Sequence, residues 1–221
     1  MHSAQHDGAS STADTILDAA SEVFAEKGFD GARVDELAKA AGVNKATLYY
    51  QVGDKEALYH AVLERVFRRT ADEVEVALQG SDDAEEQLLR FITVFAEATG
   101  NMRYASPILL REVASGGRNL PDPAITQMGR ILGALTRVLA RGEQQGLFRP
   151  VNSFMVHMMI VGSLHLYAAN EPIRQRNALR HPGIYESDHF ISNTEAGEQI
   201  ADLVLAAIRY PVSADNNKEK A

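Results

Sequence analysis

The polar groups with the most suggestive spacing in this chain are not those of a reaction centre. Residues 42 to 58 read GVNKATLYYQVGDKEAL, which puts two amides, two ammonium groups, a hydroxyl and two adjacent phenols within one short stretch. Such groups exchange hydrogen bonds and meet phosphates, but none is a nucleophile with a base beside it. The chain carries no Gly-rich phosphate loop, nucleophile elbow or paired metal histidines. It contains no cysteine, which removes thiol catalysis, Cys-ligated zinc and disulfide staples together. Recognition is therefore expected rather than catalysis, with no cofactor and no metal.

The spacing around that stretch specifies two helices crossing at a steep angle. Ala38 is small enough for the backbones to approach, Gly42 supplies a left-handed turn residue, and Val43 and Leu48 anchor the second helix on Leu37 of the first. Asn44 falls at the N-cap of that second helix. With Leu48 inward, Lys45, Ala46 and Thr47 face outward at the end that enters a major groove, and the arrangement is a helix-turn-helix suited to double-stranded DNA. Tyr49, Tyr50 and Lys55 are expected to grip phosphates at the groove walls. The net charge of −8 speaks against sequence-blind coating of nucleic acid, which needs many cations. A few placed cations must carry the binding, Lys55 in particular giving it its salt dependence and Thr47 its base preference.

The rest of the chain repeats at helical spacing, and 45% of its residues are apolar, enough for a substantial core. Ile16, Leu17, Ala20, Val23 and Phe24 form one stripe closed by Gly28, and Asp54 caps a long pattern running to about Gly80. Further helical patterns cover roughly 81 to 100, 107 to 116, 123 to 146, 152 to 170 and 194 to 210. The fold class expected is all-α with about nine helices: tails at 1–12 and 211–221, a DNA-reading domain at 13–57 and a larger domain at 58–210. The polar segment 171–193, broken by Pro172, Pro182 and Gly183, reads as a loop. No run approaches the roughly 18 apolar residues of a membrane span, and the start lacks the features of a signal peptide, so no membrane partner and a cytoplasmic location are expected.

Residues 15 to 63, TILDAASEVFAEKGFDGARVDELAKAAGVNKATLYYQVGDKEALYHAVL, resemble the N-terminal DNA-binding domain of the TetR family of transcriptional regulators. The FAEKGF turn, AAGV and TLYY stand in the order and spacing of that family. The resemblance implies a homodimer, a palindromic operator, and a C-terminal pocket whose small-molecule effector weakens DNA binding. Three positions depart from the family pattern. Arg33 stands where Ser or Thr commonly caps the second helix, exchanging a cap for a cation, and Gln51 and Val52 replace a common His-Phe pair.

Two groups of residues in the larger domain compete for the remaining roles. Phe91, Phe95, Met102, Tyr104, Met128 and Leu132, with His157 and His165 closing one side, either line a pocket for a hydrophobic or amphipathic effector or fill an ordinary core. The two histidines are too far apart for joint chelation on a straight helix, so a metal would need His181 or His189 as well. Met155, Met159 and Leu166, with Ile200, Leu203, Val204, Ala207 and Ile208 of the last helix, form a face suited to a four-helix dimer interface, which is also what the last two helices do in TetR relatives. Arg111 and Glu112, inside the apolar ILLREVA run, read equally as an ion pair, the polar end of a pocket or a solvated face.

Overall fold

A computed structural model describes residues 11–181, 183–184 and 190–210. Among these, every regular element is helical: α1 (Thr12–Gly31), α2 (Val34–Ala40), α3 (Lys45–Val52), α4 (Lys55–Ala77), α5 (Ala84–Asn101), α6 (Ala105–Ala114), α7 (Asp122–Gln144), α8 (Ser153–His157), α9 (Ser163–Ala169), α10 (Glu171–Arg180) and α11 (Asn193–Ile208). A π-helical turn, Met158–Gly162, joins α8 to α9, so the expected 152–170 helix is one run with an irregular middle.

Three expectations change. The segment read as a loop from 171 to 193 contains α10. Pro172 sits in its first turn, where the missing N–H leaves no bond unmade, and Arg174 of α10 donates from Nη1 to the Tyr167 carbonyl at 2.5 Å, capping the end of α9. α1 already includes Thr12, inside the expected 1–12 tail: the Ser11 hydroxyl accepts from the Asp14 N–H at 3.1 Å and caps it. Residues 1–10 and the 211–221 tail lie outside the described residues. The chain also divides elsewhere than at residue 57, because one compact unit comprises residues up to 68 together with 103–126, and the other comprises 69–102 with 127 onward.

The reason for that division is visible in the first unit. Phe24 and Phe29 of α1 pack against the ring of Tyr59, the first at 4.7 Å and nearly edge-on. The Tyr59 hydroxyl donates to Glu112 Oε1 of α6 at 2.7 Å. Glu112, 2% exposed, also accepts from the Asn119 side chain at 3.0 Å. Burial, reinforced by the adjacent carboxylate, holds the Tyr59 phenol protonated far above its ordinary range. Arg111 and Glu112 part ways, and the reading as an ion pair does not hold. They do not pair with each other, since Arg111 turns outward and donates to the Glu26 carbonyl at 2.9 Å while Glu112 turns inward.

The second unit is built around α5, α7, the α8–α9 run and α11, with Leu88, Phe91, Ile92, Phe95, Leu135, Val138, Phe148, Ile160, Leu164, Val204 and Leu205 in one apolar core. α5 and α11 pack closely, for a Cβ at Gly197 would stand 2.6 Å from the Ala96 Cβ. Arg130 of α7 ties the second half of α4 through Glu75 at 2.6 Å and Asp72 at 2.9 Å.

Removing the Tyr59 hydroxyl strands a buried carboxylate with Asn119 and the Ser115 hydroxyl as its remaining side-chain partners. Tyr59→Phe is expected to lower unfolding stability by about 1–3 kcal/mol, read from the midpoint of urea denaturation.

Candidate functional site

α3 has only eight residues, too few to persist alone in water, so its conformation comes from its surroundings. The chain leaves α2 through a Schellman-type turn: the Val43 N–H donates to the Ala38 carbonyl at 3.0 Å, the Gly42 N–H to the Lys39 carbonyl at 3.1 Å, and Gly42 takes φ +67°. Asn44 Oδ1 then accepts from the Thr47 N–H at 2.8 Å, the cap that the sequence spacing predicts. Leu48 is fully buried with Leu37 and Ala38 beneath it.

With that face inward, Lys45, Ala46, Tyr50 and Gln51 stand exposed and Thr47 half-exposed. Tyr50 is 87% exposed and Tyr49 46%, an unusual investment of aromatic surface in solvent. Lys45 Nζ lies 2.5 Å from Asp35 Oδ1 of α2 with both groups open to water, a pairing weak enough to yield to a phosphate. Arg33 is exposed at the N-cap of α2 and its side chain makes no cap bond. Having no acceptor atom it cannot cap. Glu36 supplies the reciprocal half, accepting from the Arg33 N–H at 3.3 Å.

Lys55 is held differently from the expectation. Its Nζ donates to the carbonyls of Phe29 at 3.0 Å and Ala32 at 3.3 Å and lies 4.4 Å from the centre of the Phe29 ring. The ammonium satisfies the chain end of α1, a favourable place for a cation, and two of its three donors are already used. Nothing in the sequence around Lys55 marked those carbonyls, because they come from more than twenty residues away.

In the second unit, the rings of Phe91 and Phe95 pack with centres 5.0 Å apart and planes tilted by 41°. The Phe95 ring meets both imidazoles nearly edge to face, His157 at 6.4 Å and 89° and His165 at 6.4 Å and 82°. Met102 is buried and Met128 and Leu132 are half-buried, whereas Tyr104 belongs to the first unit, at the N-cap of α6. Burial lowers the pKa of His157 and, with its neighbour His157 adding to the effect, pushes His165 down to about 4. No group of three potential metal ligands occurs among the described residues; His189 lies outside them.

The expected interface residues separate into two sets. Met155, Met159, Leu166, Leu203 and Ala207 are exposed and Ile200 is half-buried. Val204 and Ile208 instead lie in the unit's own core, at 1% and 2% exposure, because the α11 face they share with Ala201 and Leu205 is the one that packs inward. Phe154 and Met158, both exposed, extend the outward face.

Comparison with known proteins agrees with this layout. Residues 16–62 match the model for bacterial regulatory proteins of the tetR family, and residues 85–180 match the tetracyclin repressor-like C-terminal domain. The chain is similar to the HTH-type transcriptional repressor NicS of Pseudomonas putida, 26% identical over 164 residues that cover 72% of this chain and 76% of NicS. Its fold is similar to the fatty acid degradation regulator FadR of Bacillus halodurans, with TM-score 0.72 and 22% identity across 93% of this chain and 100% of that one. It is also similar to FadR of Bacillus subtilis solved in complex with stearoyl-CoA, with TM-score 0.69 and 19% identity across 88% and 98%. An all-helical chain with an N-terminal helix-turn-helix and a helical C-terminal domain is the architecture of a DNA-binding transcriptional regulator. This chain belongs to the TetR family. No helix among the described residues is long and apolar enough to cross a membrane.

His165 also makes the second unit sensitive to acid. Its folded pKa lies below that of an exposed histidine, so between pH 6.5 and about 4 the unfolded chain binds the extra proton. Stability contributed by the neutral ring is therefore intact above pH 6.5 and lost as pH falls toward 4. Denaturation midpoints are expected to drop between pH 7 and pH 5, and His165→Leu to flatten that drop.

Proposed function

We propose that this protein is a ligand-responsive repressor that binds a palindromic operator as a homodimer and is released by a small hydrophobic or amphipathic effector. The observation that carries the DNA-reading part is the outward surface of α3: Lys45, Ala46, Thr47, Tyr50 and Gln51 project from a helix whose one buried side chain is Leu48. Small Ala46 allows close approach to the bases, Thr47 offers a hydroxyl and a methyl, and Lys45 and Arg33 supply the phosphate-reaching charges. Tyr49 and Tyr50 are the candidates for the groove wall. Lys55, committed to the end of α1, acts on DNA mainly by holding α3's surroundings in place, with one donor left over.

Dimerisation is supported by the apolar outward face of Phe154, Met155, Met158, Met159, Leu166 and Leu203, too large a cluster of exposed apolar side chains to leave in water without a purpose. A twofold pair would present two α3 helices to half-sites about 34–36 Å apart or a multiple of that. Effector release is supported by the apolar surroundings of Phe91 and Phe95 and by helix α4, which begins in the DNA-reading unit and continues into the other. A coupling of about 1–3 kcal/mol between the two sites would suffice. NicS is a repressor by its name, and a fold neighbour takes stearoyl-CoA; both support the sign and the kind of ligand without fixing either.

Selection from random duplex DNA at fixed salt is expected to yield one palindrome. Sequence-blind recovery would defeat the operator reading. On that operator, Lys45→Ala should weaken binding to all sequences alike and reduce the slope of log affinity against log salt by about 1. Thr47→Ala should instead change the preferred base at one position per half-site. Leu203→Glu is expected to convert a dimer into a monomer with unchanged helix content, measured by sedimentation and circular dichroism.

A further inference from the structure

The run from α8 to α9 contains a local departure from regular helix with an identifiable result. On a straight α-helix, positions 157 and 165 would point about 80° apart. The intervening π turn, Met158–Gly162, absorbs about one extra residue and brings both imidazoles onto the face that meets Phe95, each at 6.4 Å. A π turn loosens the backbone ladder, so it is retained against a local cost, and turns of this kind gather at functional sites.

The same place holds an unsatisfied polar atom. Nδ1 of His157 is enclosed and has no hydrogen-bond partner, although buried polar atoms are nearly always bonded. The ring as a whole is only half-buried, so it stands at the margin of the core. Around it the core is apolar: Val156, Ile160, Val161, Phe91 and Phe95 are all buried.

We propose that His157 Nδ1, beside the Phe91–Phe95 pair, is the polar contact of an effector site for an uncharged, largely apolar molecule, which it holds through a hydroxyl or carbonyl group. This rests on the effector reading above and specifies its chemistry. A neutral imidazole offers one donor and one acceptor and no charge. Burial favours that neutral form in both histidines, so a carboxylate entering beside Phe95 would lose its hydration without gaining a counter-charge. A hydroxyl can donate to Nδ1 in one tautomer and a carbonyl can accept from it in the other, while the rings of Phe91 and Phe95 cover the apolar body.

The test uses three probes with the same two-ring body: 1-naphthol, 1-methylnaphthalene and 1-naphthoate. They are titrated into the full-length dimer at neutral pH and followed by probe fluorescence, which is clean because the chain has no tryptophan. The naphthol is expected to bind about tenfold more tightly than the methylnaphthalene, and the naphthoate most weakly. His157→Phe should remove the naphthol advantage while changing methylnaphthalene affinity less than about twofold, and His157→Gln, which keeps a donor and an acceptor, should restore part of it. Helix content and dimerisation of each variant serve as the folding control. The proposal is overturned if naphthoate binds best, if the naphthol preference survives His157→Phe, or if no probe binds the folded dimer. His157-dependent naphthol binding that leaves operator affinity unchanged would confirm the site and defeat the effector reading, so the two fail separately.

Discussion

The constraint on which the DNA-reading unit depends is the brevity of α3. A helix of eight residues cannot supply its own stability. Every neighbouring feature compensates for that deficit. Asn44 satisfies an N-terminal donor, the turn at Gly42 satisfies carbonyls of α2, and Leu48 fixes the rotation of the helix about its axis by being wholly buried. Because Leu48 fixes the rotation, it also decides which side chains point outward. The outward placement of Lys45 and Thr47 is thus a consequence of packing three residues away or closer.

A further layer holds those neighbours. Lys55 closes the end of α1, and the Tyr59–Glu112 pair joins α4 to α6 around the aromatic rings of α1. A buried carboxylate is costly unless its lone pairs are met, and here the phenol and the Asn119 amide meet them. The geometry is consequently specific: losing the phenol would leave the carboxylate with only Asn119 and Ser115 to meet it. α6 is a member of the DNA-reading unit for this reason, although more than forty residues separate it from the helix-turn-helix in sequence.

What was legible in the sequence follows the range of the forces involved. Caps, left-handed turns and the 3.6-residue period act over a few positions, so Asn44, Gly42 and the inward Leu48 are legible directly, as is the all-helical class, while Gly28, read as a stop, takes a left-handed φ of +70° at a kink within α1. Contacts between distant segments leave no local mark. Lys55 reads as a phosphate-gripping cation because the carbonyls of Phe29 and Ala32 belong to another element, and Glu112 stays open between ion pair, pocket end and solvated face because Tyr59 is fifty-three positions away. Val204 and Ile208 were assigned to an outer face because helical periodicity gives the existence of two faces but not which one meets the core. The helix at 171–180 was hidden by its polar composition and by a proline that breaks a helix interior but is well tolerated in a first turn.

The α8–α9 run joins these themes in one element. Its inward positions, Val156, His157, Ile160, Val161, Leu164 and His165, belong to the core face, and its outward positions, Phe154, Met155, Met158, Met159 and Leu166, carry the exposed apolar stripe. A regular helix would have spread the two histidines around its circumference and blurred this division; the π turn keeps them together. One continuous run of backbone therefore bears both the candidate polar contact for a ligand and the candidate surface for a second subunit. Since a packed helix shifts as a unit rather than deforming continuously, a ligand that displaced the inner face would necessarily move the outer one. The inserted residue that aligns His157 with His165 is then also what would let occupancy of a small site be felt across a dimer.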